Sequence, residues 1–189
     1  MTVSSTFRLS PLDPDAWDPV LRDVRRRIGQ PLNIHGVIAR HPDLMSAYAP
    51  LREHVVRAST LEAGHRELVI LRVAHRTGCD YEWRHHVVRG RKAGLDDERI
   101  GRVRQGSEAP EWSPEESLLL RAVDEMLDES ELRPETLEAM GCAFGDRQIL
   151  DFVFAVGVYV IMSTLLKSAR VPLEDGFTDA ASSASGSTD

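Results

Sequence analysis

Cysteine is nearly missing from this chain of 189 residues, which has only Cys79 and Cys142. Two thiols far apart in sequence make no disulfide framework, and they fit a reducing, cytoplasmic setting. An excess of basic charge is also missing. Lys and Arg number 23 against 30 Asp and Glu, for a formal net charge of −7, which argues against a nucleic-acid partner because phosphate binding needs a concentrated basic face. Arg25-Arg26-Arg27 and the stretch from Arg84 to Lys92 are locally basic, but carboxylates are interspersed around both, and they read as solvated helix faces. There is no glycine-rich phosphate loop, no nucleophile elbow and no His-x-x-x-His, so neither a cofactor nor a metal ion is expected. Met1 to Ser10 lacks the apolar core of a signal peptide. Runs of alternating strand character are absent as well, which leaves an all-α fold.

One long apolar run is present, from Ile149 to Leu166. It is nearly as long as the roughly 20 residues that cross a bilayer. Asp151 lies inside it, however, and neither an aromatic belt nor a second apolar span accompanies it. A helix apolar on almost every side is also what a central core or subunit-interface helix looks like, and no membrane partner is expected.

Helix punctuation organises the rest. Asp13-Pro14-Asp15 predicts a helix carrying Trp17, Val20, Leu21, Val24 and Ile28 and ending before Gly29. Pro42 opens a helix expected to bury Leu44, Tyr48, Leu51 and Val55. Ser59-Thr-Leu-Glu62 has capping-box spacing and predicts the start of a helix running to Arg76. Thr77-Gly78 closes it, and the next helix begins at Cys79 or Asp80 and stops at Gly94. Asp96 caps a short helix, Ser113-Pro-Glu-Glu116 starts another, and Pro134 opens a third. The expected organisation is a single helical domain over 1–173, with an N-terminal extension over about 1–33 and a Ser-rich, acidic disordered tail over 174–189.

The chemistry-bearing residues gather around Gly78. On a helix, Cys79, Glu82 and His86 follow steps of three and four and share one face, whereas His85 is turned away by about 100°. Glu67 lies ten residues before the turn, about 15 Å down the preceding helix. In an antiparallel hairpin that brings it level with His86. A carboxylate there raises the basicity of the imidazole and fixes its orientation. Glu67, Cys79, Glu82 and His86 are therefore the candidate catalytic residues. Alternatives remain open for each: Glu67 as a surface carboxylate beside Arg66, Cys79 as a small buried hydrophobe, and the cluster as a purely structural network.

Three segments carry a family resemblance: Arg66-Glu-Leu-Val-Ile-Leu-Arg-Val-Ala74, Gly78-Cys-Asp-Tyr-Glu-Trp-Arg-His-His86 and Ala93-Gly94-Leu95. Together they resemble the carboxymuconolactone decarboxylase / alkylhydroperoxidase D-like family, with a matching layout from about Ile34 to Leu173. The resemblance implies a helical bundle, assembly into a homo-oligomer (trimer or hexamer), and a small-molecule substrate. In its peroxidase branch a Glu, a Cys-x-x-Cys pair and a His relay protons. These fall here at Glu67, at Cys79 with Glu82 in place of the second, peroxide-attacking cysteine, and at His86. Its decarboxylase branch has a Tyr-Glu-Trp run followed by His, matched by Tyr81-Glu82-Trp83 and His86. The resemblance thus implies a lyase working on a small organic acid or lactone, with His86 as general acid/base, Glu67 orienting it and Glu82 as a second proton carrier. Arg72 or Arg84 would hold a substrate carboxylate. The alternatives are a thiol-dependent oxidoreductase with peroxiredoxin activity through Cys79, and a non-catalytic oligomeric module.

Overall fold

The computed structural model describes residues 9–177, and every element among them is helical. The part of the expected tail from 178 onward lies outside the described residues. Contacts sort the chain into two compact units. Among the described residues, one comprises 9–58 together with Thr164–Asp175, the other Ser59–Ser163 together with 176–177.

In the first unit the expected N-terminal helix is divided. Two 3-10 turns, Pro14–Ala16 and Pro19–Leu21, precede α1 (Arg22–Ile28), with Asp13 and Asp18 each accepting a backbone N–H as caps. Pro19 is the cause: it offers no N–H, and it holds Asp18 extended at ψ 135°. Val20 is therefore exposed, while Trp17, Leu21 and Ile28 are buried. α2 (Asn33–Ile38) passes so close to the N-terminal strand of chain that a Cβ on Gly36 would sit 2.6 Å from the Leu12 carbonyl. In α3 (Pro42–Glu53) the buried face is centred on Met45 and Arg52, with Val55 just beyond in the following π-turn His54–Ala58, so Leu44 points to solvent instead of inward. Asn33 donates its backbone N–H to Glu174 Oε1 at 2.8 Å and its side-chain amide to the Pro172 carbonyl at 3.1 Å. Glu174 is thus a packed residue, not the start of a free tail.

The second unit is built on α4 (Ala63–Arg76), which packs chiefly against α5 (Asp80–Lys92) and α7 (Pro114–Glu129). Between these lie α6 (Asp97–Arg102) and a 3-10 turn, Val103–Gln105. Leu68 and Leu71 of α4 meet Val87, Leu95, Ile100, Val103 and Leu120 in one core cluster, with Trp83 and Trp112 against it. Each such side chain contributes about 1.5–3 kcal/mol by leaving water. The capping box of α7 forms as its sequence predicts: Glu116 N–H donates to Ser113 Oγ and Ser113 N–H to Glu116 Oε2. α8 (Pro134–Ala143) and α9 (Asp146–Ser168) follow. α4 starts at Ala63, later than its capping-box spacing predicts, because Thr60 is engaged elsewhere. Its N–H and Oγ1 donate to Asp151 Oδ2 at 2.5 and 2.7 Å. The acid inside the apolar run thereby anchors α9 to the chain that leads into α4.

Candidate active site

The turn between α4 and α5 is a backbone device. Gly78 has a left-handed φ of 62° and donates to His75 O at 3.0 Å, while Cys79 N–H donates to Ala74 O at 2.9 Å. These two bonds are the Schellman pattern that ends a helix at a residue free of Cβ strain. The residue that completes the pattern, Cys79, is also the N-cap of α5. The reversal sets the two helices side by side, with Glu67 and His86 level.

The Glu67 carboxylate oxygen Oε2 lies 2.6 Å from His86 Nδ1. Both groups are buried, His86 to 1% exposure. Arg66 Nε stands 3.7 Å from the other Glu67 oxygen. On the far side of the ring, His86 Nε2 is 3.4 Å from Glu82 Oε2 and 3.4 Å from Arg89 Nη1. Tyr159 of α9 packs edge-on against the imidazole, with the centroids 4.9 Å apart. Burial opposes the charge on both partners, yet it does not prevail. The positive charge and hydrogen bond of His86, followed by Arg89 and Arg66, hold the Glu67 carboxyl below its ordinary range. Glu67, with help from Glu82, raises His86 above its ordinary value despite burial and the opposing charge of Arg89. Each partner thus favours the charged form of the other.

Nε2 therefore has two possible neighbours with opposite demands. A protonated Nε2 donates to Glu82, whereas a neutral one accepts from Arg89. Which of the two it engages depends on where the proton is.

Cys79 sits at the turn of the hairpin, as the N-cap of α5. It lines a cleft of about 240 Å³ together with Ala74, His75, Gly78, Asp80, Trp83 and Arg104. Glu67, Glu82 and His86 are not in that lining, so the four candidates, all buried, divide into a trio inside the hairpin and one thiol, 2% exposed, at the wall of a cleft. Cys142 is exposed on α8 and forms no disulfide. Neither arginine expected to hold a substrate carboxylate is placed to do so. Arg72 donates to both oxygens of Asp124, at 2.8 and 2.7 Å, and Arg84 donates to Asp80 at 2.7 Å. Among the described residues no three His, Cys, Asp or Glu side chains gather as a metal site. Sequence reasoning missed Arg89, Tyr159 and Arg104. Arg89 could have been found, since it lies three residues after His86 on the same helix; the other two come from distant elements.

Residues 42–125 match the carboxymuconolactone decarboxylase family. No curated protein matches the chain. Among solved structures, a peroxidase-related protein from Silicibacter sp. TM1040 superposes with a TM-score of 0.72 at 16% identity, over 91% of this chain and 95% of its own. A protein of Agrobacterium tumefaciens proposed as an antioxidant defence protein AhpD gives 0.66 at 24% identity, over 71% and 93%. A debrominase solved with 2,3,4-tribromopyrrole gives 0.73 at 13% identity, over 88% and 91%. At these identities the superpositions speak to fold, which is the all-helical one described above. Over residues 42–125 the chain is thus similar to the carboxymuconolactone decarboxylase family, and it shares the all-helical fold of these peroxidase-related and AhpD-like structures.

Proposed function

We propose that the chain is a decarboxylase-like enzyme acting on a small organic acid or lactone, with Glu67, His86 and Glu82 as its proton relay. The observation that carries this reading is the 2.6 Å Glu67–His86 pair continued to Glu82 within one buried hairpin. In the reaction, the bond to the departing carboxylate breaks, its electron pair moves into an enolate, and carbon dioxide leaves. The enolate carbon then takes a proton supplied through Glu82 from His86, whose positive charge Glu67 stabilises. The test is turnover of carboxylated lactones and β-keto acids in deuterated water, read as carbon dioxide release and deuterium in the product. His86→Asn should cut the rate about 10²–10⁴-fold, the usual worth of general acid–base catalysis. An unchanged rate in a folded variant removes His86 from the mechanism.

A second reading is favoured by one fact: of the four candidates, Cys79 is the one that lines the cleft. A thiol-dependent peroxidase would use it as nucleophile. The thiolate sulfur attacks the terminal oxygen of a hydroperoxide, the O–O bond breaks, and the leaving alkoxide takes a proton from water in the cleft. An external thiol then reduces the sulfenic acid, because Glu82 stands where a second cysteine would. Cys79→Ser separates the readings. It abolishes peroxide consumption under the second, and consumption that persists in the folded variant removes that reading.

The same reading includes a homo-oligomer, trimer or hexamer, in the cytoplasm, with no nucleic acid or membrane partner. Leu150, Phe154 and Ile161 of α9 are each more than half exposed and lie along one side of the helix, with exposed Gly157 between them. A second copy of the chain is the occupant that this apolar stripe fits.

A further inference from the structure

Arg104 is the one cation in the lining of the cleft at the hairpin turn whose position the proton relay does not explain. It belongs to the 3-10 turn Val103–Gln105, which is fixed from beneath. Buried Arg72 donates through Nη1 to the carbonyls of Val103 at 2.8 Å and Arg104 at 3.1 Å, while its other nitrogens hold Asp124. The turn then leaves through Gly106 at φ 89°, where a Cβ would come within 2.9 Å of Arg72 Nη2. This clasp carries the Arg104 guanidinium to 4.4 Å from the centroid of the Trp83 ring. Trp83 in turn meets His75 at 6.1 Å.

Nearby arginines are neutralised by acids. Arg72 and Arg76 share Asp124, Arg84 holds Asp80, and Arg91 holds Asp97. Arg104 is exposed and has no carboxylate partner among the described residues. Burial first, then the charges of Arg72, Arg104 and Arg76, push the His75 imidazole below its ordinary value against the opposing charge of Asp124. At about 240 Å³ the cleft is smaller than the ~300–1,000 Å³ typical of drug-sized ligands.

We infer that this cleft binds a small organic carboxylate, its anionic end on Arg104, which Trp83 orients, and its body against Cys79. The inference rests on the reading that makes Cys79 the reactive group, since Cys79 is the candidate that lines this cleft, and names the ligand class for it: a compact anion, selected by Arg104 and not by Arg72 or Arg84.

The test needs no turnover. Wild-type chain is alkylated with iodoacetate and, separately, with iodoacetamide, and the rates at Cys79 and Cys142 are followed by peptide mass spectrometry. In both reactions the sulfur displaces iodide; only the charge of the reagent differs. Exposed Cys142 is the internal reference. The iodoacetate-to-iodoacetamide ratio should be about tenfold higher at Cys79 than at Cys142, the low end of what a focused charge supplies. It should fall to the Cys142 value in Arg104→Gln and be partly kept in Arg104→Lys. Benzoate should protect Cys79 from iodoacetamide in the wild type and not in Arg104→Gln. Equal ratios at the two cysteines, a ratio indifferent to Arg104→Gln, or a Cys79 inert to both reagents overturns the inference. In His86→Asn the preference should persist, so failure of the relay and failure of the anion site are read separately.

Discussion

Glu67 and His86, one from each arm of the hairpin, meet at 2.6 Å where neither is exposed to solvent. Their charges are mutually dependent, and this gives folding stability a definite pH profile. Glu67 titrates below its ordinary 4.5 in the fold, so its contribution is present above pH 4.5 and is lost as pH falls through the lowered value. His86 titrates above its ordinary 6.5, so its contribution is full below pH 6.5 and is lost as pH rises through the raised value. The pair therefore stabilises most between about pH 4.5 and 6.5. Glu67→Gln should cost about 1–3 kcal/mol in that window, and the wild-type minus variant difference, from urea unfolding at several pH values, should be bell-shaped. A pH-independent difference would show that the pair is not ionic. The His86 resonance in the variant should titrate lower than in the wild type.

Gly78 sets the level at which those two residues meet. At φ 62° an L side chain is strained by about 1–2 kcal/mol, so Gly78→Ala should lose roughly that much stability by thermal or urea unfolding. Because Cys79 is the next residue, its alkylation rate should change as well. A neutral substitution with an unaltered Cys79 would mean that the turn tolerates another geometry.

Ser113 offers a control remote from the proton relay. Removing its hydroxyl leaves the Glu116 N–H at the start of α7 without its cap. Ser113→Ala should lower stability by about 0.5–2 kcal/mol. It should leave the His86 titration, followed by NMR, where it was; a moved titration would tie the start of α7 to the hairpin.

For the exposed stripe of α9, the expectation is a change of mass without a change of fold. Phe154→Glu or Ile161→Glu should convert the assembly to monomers in light scattering while helicity by circular dichroism stays unchanged. Wild-type chain that is already monomeric at micromolar concentration would remove the self-association reading.

The elements legible in the sequence are those whose determinants are local. Gly78 between two amphipathic segments announces the hairpin, Ser113-Pro-Glu-Glu116 announces α7, and helical spacing brings Glu67 level with His86. Misplaced features trace to partners remote in sequence. Thr60 reads as part of a capping box until Asp151, 91 residues on, takes both its donors. Arg104 reads as one more surface cation because its place depends on Arg72 grasping two carbonyls of another turn. The division at Asp18-Pro19 was local, and the proline itself carried the signal. Leu44 was misplaced because Met45, its immediate neighbour, is the residue that α3 turns inward.

The Cys79 side chain makes no capping hydrogen bond to α5, although the residue sits at the N-cap. Two main-chain bonds hold that spot, Gly78 N–H to the His75 carbonyl and Cys79 N–H to the Ala74 carbonyl. Helix geometry then places residue 82 one turn further along the same side. The bond from position 79 is made by a backbone N–H that any residue but proline possesses, so one turn can present different chemistry there by point replacement.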